Sequence, residues 1–189
     1  MTSGGRAPRM THEVRIVGGL WKRTKLAVTD RPGLRPTPDR VRETLFNWLG
    51  QDLTGWHVLD AFAGTGALGF EAASRGAARV VMIERDAVLG KALAAVAVRL
   101  ATQAVDLHRD EALGWMSRSA PASFDLVLLD PPFDAGLHAS AIAAAAPLVR
   151  PRGYLYVEAA AALPAPTGFE DWRHLKAGAV HAHLWRRDA

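Results

Sequence analysis

The sequence of 189 residues contains no cysteine. That excludes a disulfide framework, a thiolate nucleophile and cysteine-ligated zinc. Long apolar runs are missing too: the longest uncharged stretch of this kind, Ala139 to Val149, is too short to span a bilayer and contains Pro147. Residues 1–14 lack the apolar segment of a secretory signal. No internal repeat is visible, and alanine abundance, densest in "ASAIAAAAPLV", is the only compositional bias. The expectation is a cytoplasmic chain without membrane association, whose chemistry rests on oxygen and nitrogen groups or on a bound cofactor.

What is present suits one packed core, with 49% hydrophobic and 22% charged residues. The net charge of +4 hides a strong asymmetry. Residues 1–42 hold ten Lys and Arg against three acids, a balance of +7, and the other 13 bases and 16 acids leave −3. A basic segment on a mildly acidic body points to a polyanionic partner gripped by the amino-terminal part. Residues 1–14, rich in Gly, Ser, Pro and Arg near the start, are expected to be a disordered leader.

From Trp56 onward short β-rich runs alternate with segments of helical length. The runs are "HVLDAF" (57–62), "RVVMIE" (79–84), "VDLH" (105–108), "FDLVLLD" (124–130) and "GYLYVE" (153–158). Helices are expected over 67–75, 86–100, 111–117 and 137–146. This is the signature of βαβ units: an α/β, Rossmann-like fold with a mainly parallel sheet and helices on both faces, filling residues 51–189. The run "AVHAHLWRR" (179–187) is expected as an exposed closing strand. Residues 15–50 precede this domain as a small basic extension. "RIVGGLWKRTKLAV" reads as a hairpin around Gly18-Gly19, and "PGLRPTPDRVRETLFNWL" as a loop and then a helix, capped by Thr37 or Asp39, with Val41, Leu45, Phe46 and Leu49 on one face.

Two stretches carry chemistry. In "LDAFAGTGALGFEAASRG" (59–76) a strand ends at Asp60, a turn with Gly64, Gly66 and Gly69 follows, and a helix begins. Such a turn presents backbone N–H groups to a nucleotide-like ligand at the strand's carboxyl end. Glu84 closes the next strand, where a carboxylate can accept hydrogen bonds from ribose hydroxyls. A carboxylate at Asp60 repels a pyrophosphate and suits an ammonium instead, which is the pattern of S-adenosylmethionine (SAM) methyltransferases. The second stretch is Asp130-Pro131-Pro132-Phe133, after the fourth strand. It resembles the D/N/S-P-P-Y/F motif of methyltransferases that act on exocyclic amines of nucleobases. The physical logic stands by itself: an aromatic amine is a poor nucleophile because its lone pair is delocalised into the ring. Acceptors at its hydrogens, the Asp130 carboxylate and the Pro131 carbonyl, free and aim that lone pair. Phe133 offers a stacking face, and the two prolines fix the carbonyl direction.

The hairpin segment, the R-P-T…R-V-R-E-T-L-F block, the glycine turn and L-D-P-P-F occur in the order and spacing of the bacterial RsmD family, which the chain resembles from Arg15 to Glu158. The resemblance implies transfer of a methyl group from SAM, without metal, to N2 of one guanine of 16S ribosomal RNA (nucleotide 966). The implied partner is a partly assembled small ribosomal subunit, and a monomer is expected. The implied cofactor-binding residues are Asp60, Ala61, Gly64, Gly66, Glu84, Arg85, Asp110, Glu111 and Asp130, with Asp110 or Glu111 placed to contact the adenine amino group. Asp130, Pro131, Pro132 and Phe133 are the implied catalytic set. Lys22, Arg23, Lys25, Arg35, Thr37, Arg40 and Arg42 are the implied RNA contacts, with Glu43 beside them. Pro38 departs from the family pattern, where a second threonine is expected. Two alternatives remain open: a DNA amino-methyltransferase acting on adenine N6 or cytosine N4, and a non-catalytic RNA-binding assembly factor. The histidines are read as structural, including His181 and His183, for which no third ligand is evident.

Overall fold

A computed structural model describes residues 14–26, 37–132 and 136–189. Arg35, Phe133, the leader before residue 14 and the proline-punctuated loop therefore lie outside the described residues.

Two short antiparallel strands, β1 (Val14–Arg15) and β2 (Lys25–Leu26), form the expected hairpin, and α1 (Asp39–Trp48) follows. Then come β3 (His57–Asp60), α2 (Ala67–Ser74), β4 (Arg79–Ile83), α3 (Ala87–Arg99), β5 (Val105–His108), α4 (Ala112–Ser117), β6 (Phe124–Leu129) and α5 (His138–Ala145). A 3-10 turn at Ala146–Leu148, with Pro147 at its start, leads into β7 (Val149–Ala159), and β8 (Phe169–Ala177) and β9 (Val180–Arg187) end the chain. The main sheet has the order β5-β4-β3-β6-β7-β9-β8, parallel through β7 and antiparallel at β9 and β8.

The central strands are apolar at consecutive positions because both sheet faces are covered. Val58, Val80 and Leu126 face the side that packs Phe46 of α1, Phe70 of α2 and Leu93 of α3. Their neighbours Leu59, Val81 and Val127 face the other side, with Met116 of α4 and Ala141 of α5. Val14, Ile16 and Leu26 join the first cluster, so the amino-terminal hairpin shares its core with the sheet. Val41, Leu45, Phe46 and Leu49 form the buried face of α1, as the spacing requires.

Three expectations are corrected here. The helix α1 starts after Pro38 with no side-chain cap, because the Thr37 hydroxyl is committed to Asp130 and the Asp39 carboxylate to Arg42 within the helix itself. A strand unseen in the sequence, β8, forms the sheet edge, so β9 is an inner strand rather than an exposed closing one, and His183 is buried. The strand β7 is also longer than its apolar stretch, beginning at Val149. Among the described residues no helix is long and apolar enough to cross a membrane.

Candidate active site

The strand order places one acid at each of five adjacent strand ends. Asp110 follows β5, Glu84 follows β4, Asp60 ends β3, Asp130 follows β6, and Glu158 is the penultimate residue of β7. All five line one cavity of about 500 Å³ at the carboxyl edge of the sheet, where the order reverses between β3 and β6. With Asp86 and Glu111 the wall carries, among the described residues, seven acids against one base, Arg85. Leu68, Ile83, Leu89 and Leu137 supply apolar surface. An elongated, partly apolar ligand carrying positive charge suits such a lining.

The glycine turn explains how Asp60 is held. Gly66 precedes α2 at φ +79°, and a Cβ there would stand 2.6 Å from Leu93 and Phe70. A side chain at Gly69 would likewise meet Met82 at 2.9 Å and the Asp60 carboxylate at 3.0 Å. The helix can therefore approach β3 closely enough for the Gly69 N–H to donate to Asp60 Oδ2 at 2.9 Å. Asp60 is only 1% exposed. Burial lifts its carboxyl to about 7 against the pull of that N–H, and the charges of Glu84 and Glu158 push the same way as burial. Glu84 accepts from Gly64 N at 3.0 Å and from Asp86 N at 2.8 Å, one bond per oxygen, which leaves each oxygen a second lone pair. Asp86 and Glu111 cap α3 and α4. Asp110 holds the Glu111 N–H at 2.7 Å and pairs with Arg118 at 2.6 Å.

At the tip of β6, Asp130 is half-buried and Pro131 buried. The Thr37 hydroxyl donates to Asp130 Oδ2 at 3.2 Å, tying the chain just before α1 to the strand tip. Next to this pair, the Tyr156 phenol donates to Glu158 Oε1 at 2.9 Å, and the Glu158 carbonyl meets His138 Nε2 at 2.9 Å. Burial and the charge of Glu158 hold the Asp130 carboxyl well above the ordinary carboxylate range, opposed by the Thr37 hydroxyl. Burial raises Glu158 as well, opposed by the Tyr156 and Thr37 hydroxyls and the Arg42 charge. Tyr156 is pushed well above its usual value by burial and by Glu158, so its phenol stays a donor.

The structure sorts the expected site residues. Asp60, Ala61, Gly64, Glu84, Arg85, Asp110, Glu111, Asp130, Pro131, Pro132 and Thr37 line the cavity together. Gly66 does not, because its backbone serves the turn. Lys22, Arg23, Lys25 and Arg40 are exposed, as is Glu43. Arg42 is the correction: it is 0% exposed and does not present its charge to a polyanion. Its guanidinium pairs with Asp39 at 2.5 Å and Glu71 at 3.4 Å and donates to the Arg15 carbonyl at 2.7 Å. Glu71 also holds Arg75 at 2.8 Å and accepts from the backbone of Val17 and Gly18, so one buried ion cluster fastens hairpin, α1 and α2 together. Sequence reasoning missed Glu158. A lone acid at the end of an apolar strand that follows the Asp130 strand was the available signal, and it reads equally as a solvated strand tip.

The fold is shared with known proteins. The family described as "Conserved hypothetical protein 95" matches residues 14–186. The Escherichia coli protein named ribosomal RNA small subunit methyltransferase D is 38% identical over 94% of this chain and 91% of its own. The protein of the same name from Haemophilus influenzae is 38% identical over 89% and 90%. The solved structure of the Escherichia coli protein yhhF superposes with a TM-score of 0.82 at 34% identity, covering 94% of this chain and 99% of that one. Matched along nearly its whole length and spanning such relatives almost end to end, the chain belongs to the RsmD family.

Proposed function

We propose that the protein transfers a methyl group from SAM to the exocyclic N2 amine of a guanine in 16S ribosomal RNA. The observation that carries this reading is the row of strand-tip acids ending in Asp130-Pro131-Pro132 beside Glu158. The named relatives, ribosomal RNA small subunit methyltransferases, support the substrate class.

The lining fits SAM. Asp60, buried at the glycine turn, would hold the ammonium of the methionine part, Glu84 the ribose hydroxyls through its free lone pairs, and Asp110 the adenine amino group. When bound, SAM supplies an electrophilic methyl group on a sulfonium centre. Asp130 and the Pro131 carbonyl accept the two hydrogens of the guanine amine and turn its lone pair out of the ring plane. The proton shed as the amine is alkylated passes to Asp130, whose raised affinity for protons makes it the better acceptor. The Thr37 hydroxyl holds that carboxyl in place, and the charge of Glu158 beside it raises its proton affinity. The exposed Lys22, Arg23, Lys25 and Arg40 would meet phosphates, leaving a splayed-out base to enter the cavity.

Small subunits from a strain lacking its own enzyme of this kind provide the test, incubated with the protein and radiolabelled SAM. Label at one guanine of 16S RNA, as N2-methylguanine, is expected. Label on duplex DNA adenine or cytosine, or none on any nucleic acid, would overturn the reading in favour of one of the two alternatives.

A further inference from the structure

The outer strands β8 and β9 bring three imidazoles together. His174 lies opposite His183, and Lys176 opposite His181. His181 and His183, two apart on β9, thus share a face with His174 on the neighbouring strand. The rings stack, with centroids 4.5 Å apart for His174 and His183 and 5.2 Å for His174 and His181. Nε2 of His174 stands 3.0 Å from Nδ1 of His181, and one nitrogen from each ring lies within 4.8 Å of the others. Imidazole nitrogens around a tetrahedral ion with bonds of ~2.0–2.1 Å are ~3.3 Å apart, so the near-parallel rings turn about their side-chain bonds to bring three lone pairs onto one ion.

A second observation points to a ligand. His183 is 2% exposed, yet its Nδ1 is buried without a hydrogen-bond partner, while its Nε2 accepts the Leu163 N–H at 3.2 Å. Natural folds seldom leave such an atom unsatisfied. Three imidazoles with no carboxylate among them suit zinc, nickel or copper and disfavour magnesium and calcium. None of the three lines the acidic cavity. They lie on the Val157 and Trp185 face of the sheet, opposite the face shared by Tyr156 and Glu158.

We infer that His174, His181 and His183 form a site for a borderline divalent transition ion, with water in the fourth position, that clamps the edge strand β8 to β9. Engaging His183 exchanges its hydrogen bond from Leu163 for the metal bond. The ion ties the sheet edge together and takes no part in methyl transfer.

Untagged full-length protein, freed of metal with a chelator, is titrated with zinc in competition with a chromophoric chelator. One equivalent is expected to bind, zinc is expected to raise the thermal unfolding midpoint, and cobalt in its place should give the visible absorption of a tetrahedral ion. His174→Gln, a change on an exposed edge strand, should weaken zinc at least about tenfold and abolish both the midpoint shift and the cobalt spectrum. His181→Gln serves as a second variant with the same expectation. Failure of the wild type to bind zinc, or equal zinc affinity in wild type and His174→Gln, would overturn the inference.

Discussion

Replacing Asp60 by Asn isolates the buried charge on which the cofactor assignment turns. The Asp60 carboxyl is held near 7, so about nine-tenths of it is ionised at about pH 8 and only about a tenth at about pH 6. If the ionised form binds the ammonium of SAM, the affinity advantage of wild type over Asp60→Asn should shrink roughly tenfold, about 1.4 kcal/mol, between those conditions. Taking the ratio of the two proteins cancels the titration of Asp130 and Glu158 apart from their coupling to the Asp60 charge. The unliganded proteins should show the opposite trend. The folded pKa lies above the unfolded one, so the stability due to this group is fully present below about pH 4 and is lost as pH rises towards 7. The rise from 3.8 to about 7 corresponds to at most about 4 kcal/mol. Asparagine still accepts the Gly69 N–H and carries no charge, so the variant should be the more stable protein at about pH 8 and lose that advantage towards about pH 4. Titration calorimetry with SAM and urea unfolding without it measure the two effects. An affinity ratio that stays constant between about pH 6 and pH 8 would refute the assignment of Asp60 to the ammonium.

Arg42→Ala leaves Asp39 and the buried Glu71 short of a partner, so urea unfolding should show a loss of about 3–5 kcal/mol. RNA affinity per folded molecule should be unchanged, because Arg42 is no phosphate contact. Thr37→Val removes the hydrogen bond that holds the Asp130 proton affinity down, so the rising limb of the pH–rate profile should move to higher pH while SAM affinity stays the same. Neutralising Lys22, Arg23 and Lys25 together should reduce the slope of log affinity for RNA against log salt by roughly three units and leave SAM binding intact, as read by filter binding over a salt series.

The parallel sheet was legible because its central strands are buried on both faces and therefore mainly apolar, and each strand lies between segments of helical length. The glycine turn and the two prolines after Asp130 were legible because backbone geometry demands those residue types. What escaped the sequence depends on distant partners. Thr37 reads locally as a helix cap, but its hydroxyl is on Asp130, 93 positions away. Arg42 belongs to a run of bases, and only the fold reveals that Glu71 waits for it inside. The strand β8 was hidden because, as an edge, it exposes charged side chains, and a register shift between Asp171 and Arg173 breaks its alternation. With β8 went His174, and so the third member of the histidine cluster.

Asp130 is the most direct point of attack on the proposed chemistry. Its partner is the substrate amine, so Asp130→Asn should lower methyl transfer at least about a hundredfold while SAM affinity by calorimetry stays within about twofold of wild type. The measurement is single-turnover methylation of 16S RNA in small subunits, with every guanine mapped for N2 methylation. The account predicts one modified guanine with the wild type and almost none with the variant at equal cofactor occupancy. Undiminished methylation by Asp130→Asn, or modification of a different class of nucleic acid, would contradict it.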